Sequence, residues 1–187
     1  MAITRLGGAN AITGTIPQGN IANASLGAVT TLPFSTGVVL QIVQTVKTDS
    51  SSSSGYTYGD LGLSASITPA STSNKILVVA NLNTATTGNL RCGIKLLRGS
   101  TSILLGDTAS DRTRASVAIG GTSNIESYGS DITFLDTPST TSSTTYKIQG
   151  SGEEAGASVY LNRNHNDTNS GTYYRGTSTL TLMEIAG

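Results

Sequence analysis

The side chains able to carry acid–base or nucleophilic chemistry are few and scattered. His165 is the only histidine and Cys92 the only cysteine. A serine or cysteine hydrolase sets its nucleophile beside a base, usually histidine, oriented by a third group. His165 instead lies in an asparagine-rich run, NRNHNDTNSGTYYRG over 162–176, and nothing in the chain resembles a nucleophile elbow or a phosphate-binding loop. Gly120–Gly121 lacks the following lysine and the helix that such a loop would open. Glycoside cleavage needs two carboxylates across a substrate. Glu153 and Glu154 are sequence neighbours, which a strand would point to opposite faces, so they read as a solvated turn. The chain is expected to be no enzyme and to use no cofactor.

Two constellations bear on binding instead. Asn162, Asn164, Asn166 and Asp167 echo the alternating oxygens of a calcium loop. Only one of the four is charged, and Tyr173 stands where a glutamate would close the loop. An Asn/Gly-rich loop that tolerates left-handed backbone accounts for them better, and no metal is expected. Tyr173, Tyr174 and Arg175, with Asn166 in the same loop, are candidate contacts for a glycan, since aromatic and arginine side chains are favoured at recognition surfaces. The competing reading packs those tyrosines on the last strand or on a neighbouring subunit.

Eleven basic residues balance eleven acidic ones, without the basic stripe that phosphate binding requires. No nucleic-acid partner is expected. No apolar run reaches the roughly 20 residues of a membrane span, and MAITRLGGAN is not a signal peptide. Neither membrane insertion nor secretion is therefore expected. A lone cysteine excludes an internal disulfide; Cys92 falls on the apolar side of an alternating segment and reads as a buried, inert thiol. Charged residues are only 12% of the chain, and 25 serines and 29 threonines fill the gap. With zero net charge and many Val, Ile and Thr, this is β-sheet composition rather than that of a disordered chain.

The elements that position these residues divide the chain in two. Residues 1–33 carry aliphatics at irregular intervals (Ile12, Ile16, Ile21, Leu26, Val29 and Leu32) among Gly14, Pro17, Gly19 and Gly27. That spacing fits neither a strand nor a helical stripe, and suits an extended N-terminal arm that drops side chains into separate pockets of a particle. From Gly37 the period becomes two. Val38, Leu40, Ile42 and Val46 form the expected inward stripe of a first strand. Leu61, Leu63, Ala65 and Ile67 form another, as do Ile76, Val78, Ala80 and Leu82, and Cys92, Ile94 and Leu96. Shorter alternations continue to a C-terminal strand near Thr177–Ile185. The serine run DSSSSSGYTYGD over 49–60 is expected to be a solvated tip. Residues 34–187 thus predict one all-β domain: a single antiparallel, jelly-roll-like β-sandwich of about nine or ten strands with no helix.

Three stretches carry a resemblance. GTIPQGNIANASLGAVTTLP resembles the Gly/Asn/Thr-rich arms of fibre and appendage proteins of tailed bacteriophages. GVVLQIVQTVKTD followed by LSASITPASTSNKILVVANLN resembles the start of a β-sandwich in virion proteins of marine and cyanobacterial phages, and TSTLTLMEIAG resembles its last strand. The resemblance implies a virion structural protein of the fibre or decoration type, assembled in the host cytoplasm. It also implies a homotrimer, a capsid or tail partner reached through the N-terminal segment, and in some members a host-surface glycan. It carries over no site residue, because these proteins share no fixed motif. The expected function is a non-enzymatic tail fibre, head fibre or capsid decoration protein, with a receptor-binding module for host polysaccharide as the alternative.

Overall fold

A computed structural model describes residues 36–187. The arm at 1–33, with its docking candidates Ile12, Ile16, Ile21, Leu26, Val29 and Leu32, lies outside the described residues.

The described chain is all β. In chain order the strands are β1 (Val39–Lys47), β2 (Ser51–Ser54), β3 (Gly59–Ile67), β4 (Lys75–Thr86), β5 (Arg91–Arg98), β6 (Thr101–Ile103), β7 (Val117–Gly120), β8 (Tyr128–Asp136), β9 (Thr144–Gly152), β10 (Ser158–Leu161) and β11 (Ser178–Ile185). All pairings are antiparallel and form two sheets.

The registers reduce these eleven segments to eight ribbons. β11 pairs with Lys75–Asn81 of β4 and β10 with Thr84–Thr86, so β10 and β11 lie end to end along one edge of β4, while β8 takes the other edge. β1 and β2 continue each other in the same way beyond β11 and β10. In the second sheet β7 and β6 share one edge of β5, with β9 and then β3 on the other side. Counted along the chain, ribbon one pairs with eight, two with seven, three with six and four with five. A long hairpin rolled on itself gives this pairing, which makes the fold a jelly roll.

Alternation supplies the core between the sheets. Leu61, Leu63 and Ile67 of β3, Ile76, Val78 and Leu82 of β4, Ile94 and Leu96 of β5, Tyr146 and Ile148 of β9, and Leu180 and Leu182 of β11 are buried in one cluster. Those of β3, β4 and β5 lie on the expected inward stripes. Cys92 belongs to the same cluster, and burial pushes its thiol up to about 11, with Glu153 adding to the shift. Across one end of the sandwich the Asp136 carboxylate of the first sheet accepts both contacts of Arg98 Nη1 at 2.9 Å and the Tyr146 hydroxyl at 2.6 Å from the second. Burial, then this bond, raises the Tyr146 phenol above its ordinary range.

The expected strand count was short because of the serine run. Ser51–Ser54 is strand β2, paired with Ser158–Leu161. Serine has weak strand propensity, but the fully buried β10 offers an open ladder. Ser54 Oγ bonds Ser158 Oγ at 2.7 Å, and Ser51 Oγ donates to Leu61 O at 2.6 Å.

The two interrupted ribbons break side by side, and Asn162 closes the gap. Its φ of 64° lies in the left-handed region, which asparagine tolerates better than most residues. From there its fully buried carboxamide donates to Lys47 O at 2.8 Å and Asp49 O at 2.9 Å, and accepts from Ser178 Oγ at 2.6 Å. The side chain thus replaces backbone ladder bonds where β1 gives way to β2. Its own N–H donates to Asn83 O at 2.8 Å, and its carbonyl accepts from Gly176 N at 3.1 Å, which pins both ends of the intervening loop. Gly176 is needed there, since a Cβ would stand 2.4 Å from Asn83 Cγ.

Replacing Asn162 by alanine removes three buried hydrogen bonds and leaves a non-glycine residue in a left-handed position, at a cost of about 3 kcal/mol in folding stability. Asn162→Gly keeps the backbone relaxed and should cost measurably less; denaturant melts of the two variants check the order.

Candidate assembly surface

The parity of β1 is set by a buried carboxylate. Glu184 on β11 is fully buried and faces the interior end of the sandwich. Its oxygens accept from Gln41 Nε2 at 2.5 Å, Asn74 Nδ2 at 2.5 Å and the Ala70 backbone N–H at 2.7 Å. Gln41 can reach it only by pointing inward. A register shift between Val39 and Gln41 makes this possible, and Val43 and Lys47 follow on the inner side.

The consequence reverses the expected stripe. Ile42 and Val46, read from alternation as core residues, lie on the outer face and are 61% and 53% exposed. Val38 and Leu40 are likewise outside the core cluster. Apolar alternation pointed one way, but a buried acid without a cation must be met by donors, and that requirement prevails.

Registers then place Ile42 opposite Met183, Met183 opposite Leu77, and Leu77 opposite Leu135. One apolar row crosses the four ribbons of the first sheet on its outer surface. Val39 beside Ile185, Val79 and Val46 extend it on either side. The next rows of the face are more polar: Gln44 donates to Thr181 Oγ1 at 2.7 Å, Asn81 donates to Asp131 Oδ1 at 3.2 Å, and Thr133 and Thr179 lie beside them. Its charges are Lys75 at one end and Asp131 at the other. A solvated sheet face normally alternates to polar; here one row is apolar across all four ribbons.

The expected glycan contacts lie elsewhere, in the excursion between β10 and β11. Tyr174 is 81% exposed, Asn166 and Arg175 are exposed, and Tyr173 is half-buried. Arg175 Nη2 is held by Asp167 Oδ1 at 2.6 Å, and the Asn166 N–H donates to Asn124 O at 3.2 Å. The base of the loop is a stack: His165 lies on the Tyr160 ring at 5.3 Å, Arg163 covers that ring at 4.3 Å, and His165 Nδ1 bonds Asn124 Oδ1 at 2.7 Å. His165 thus packs within the loop. Of the other candidates for chemistry, Glu153 pairs with Arg91 at 2.9 Å.

No family model matches this sequence, and no curated protein matches it. Among solved structures, the chain is similar to one described as the structure of infectious bursal disease virus Gx strain, at 18% identity and a TM-score of 0.39. The match covers 79% of this chain and 37% of that one, so the chain spans little more than a third of its length. No role is carried over from it.

The Glu184 arrangement has a pH signature. Burial pushes its carboxyl up, but the hydrogen bonds from Asn74, Gln41 and the Ala70 backbone outweigh burial and hold it below the ordinary glutamate value. With the folded value depressed, its contribution to stability is present above the unfolded pKa and is lost as pH falls through the folded one. Glu184→Gln, which sets an amide donor against three donors, should cost about 2 kcal/mol at neutral pH and flatten the acid limb of the stability–pH curve, measured by denaturant titration.

Proposed function

We propose that the protein is a non-catalytic structural component of a phage virion, a tail fibre, head fibre or capsid decoration, that assembles with further copies of itself. The apolar row Ile42, Met183, Leu77 and Leu135 carries this reading, because a domain that stays alone in water has no use for it. The row's occupant is a second copy of this chain. The face bears one lysine and one aspartate at opposite ends, so faces of the same kind can meet without like-charge conflict. A trimer is the state that the phage resemblance implies. The jelly roll also recurs in viral capsid and lectin domains, which is an analogy of fold only. In this reading residues 1–33 attach the sandwich to the capsid or tail.

Burying a large aliphatic side chain stabilises by about 1.5–3 kcal/mol. Introducing aspartate at both Ile42 and Leu135 should therefore weaken self-association by on the order of a hundredfold, while circular dichroism shows the domain still folded. Sedimentation of the full chain reads this directly, and a wild-type chain that is monomeric at high concentration would sink the proposal. Deleting residues 1–33 should leave a folded, self-associating sandwich that no longer enters particles, checked by its content in purified virions.

A further inference from the structure

The second sheet carries a cleft on its outer face, lined by no residue of the apolar row or of the β10–β11 loop. A cross-strand row of small residues lies beneath it: Ser151 and Ala118 flank Gly93 of β5 in register. Gly93 is a requirement there, since a Cβ would come within 2.3 Å of the Tyr58 hydroxyl. Tyr58 is held in place from two sides. Its hydroxyl donates to Arg114 O at 3.2 Å, and Lys95 Nζ stands 3.8 Å from its ring centroid. Tyr56, two residues earlier, is 70% exposed at the mouth. The resulting cleft has a volume of about 500 Å³, within the range of small-ligand sites.

Its polar wall is organised rather than incidental. Glu153 Oε1 accepts from the Arg91 backbone N–H at 2.9 Å and Oε2 from Arg91 Nη1 at 2.9 Å, while Glu153 N donates to Arg91 O at 3.0 Å. The pair is fixed by the backbone, yet the Arg91 side chain is 81% exposed, so its other N–H groups remain available. Arg112 lines the opposite side with Thr113 and has no carboxylate within ion-pair distance among the described residues. The lining is therefore net positive, with one carboxylate acceptor locked among several donors.

From this geometry we infer that the cleft binds an acidic saccharide, a uronic-acid-bearing polysaccharide read a few pyranose units at a time. Sugar hydroxyls both donate and accept, which the Arg91–Glu153 pair and the Thr113 and Ser151 hydroxyls match in alternation. A tyrosine exposed at the mouth offers a flat surface for a pyranose face. Arg112 supplies a charge-assisted, two-pronged donor for the ring carboxylate. The site makes no use of Tyr173, Tyr174 or Arg175, and it stands whether or not the sheet face above mediates self-assembly.

Calorimetric titration of the full chain with short oligoglucuronates and oligogalacturonates, and with neutral cello-oligosaccharides as control, tests this. Saturable binding of at least one uronate is expected, weaker by about tenfold in Tyr56→Ala and in Arg112→Gln and weakened by added salt. Tyr174→Ala should bind like the wild type. Tyr56 and Arg112 are exposed, so neither substitution threatens folding. Absence of saturable uronate binding, equal binding of the neutral oligomers, or full affinity in both variants overturns the assignment. The association state, measured in the same samples, separates this result from the fate of the assembly proposal.

Discussion

A buried glutamate that pairs with no cation among the described residues governs more of this molecule than any apolar contact. Glu184 sits on the last strand, and its charge is tolerable only because an amide from β1, an amide from the β3–β4 turn and a backbone N–H from the same turn converge on it. Leaving such a group unmet in a low-dielectric interior would cost several kcal/mol. Those donors tie the first, the last and an intervening segment of the sandwich to one point. They also decide which side of β1 faces inward, and so which side chains the outer face displays.

A second polar group plays the corresponding part at the opposite stretch of the same ribbons. Where β1 and β11 both leave the ladder, the Asn162 carboxamide supplies the missing donors and acceptor. The long polar excursion between β10 and β11 can then be inserted without undoing the sheet, because its ends meet across Asn162 and Gly176. Apolar burial drives the sandwich together, but these two side chains determine how its edges are finished. The surfaces that matter for function follow from them.

Much of the fold was legible in the residues themselves. Strict alternation in β3, β4 and β5 named the inward residues correctly, because a strand buried on one face has no other way to arrange them. The jelly-roll architecture followed from strand number, turn spacing and the absence of any helical period. The serine strand β2 escaped notice, since its pairing is decided by β10 rather than by its own propensity. The stripe of β1 was assigned to the wrong face because hydrophobicity alone cannot see a buried acid more than a hundred positions away. The cleft was invisible for the same reason: Tyr56, Tyr58, Arg91, Arg112 and Glu153 come from four separate parts of the chain.

The residues alone carry the class of fold: all-β, low in charge, a sandwich, with the one cysteine on an inward stripe. Composition and period suffice for that, because both act locally along the chain. Which face of the first sheet is apolar, where the chain leaves and rejoins its ribbons, and which distant side chains share a cleft emerge only once the strands are paired. Those features depend on long-range pairing and on satisfying buried polar groups, and neither is written in any single segment.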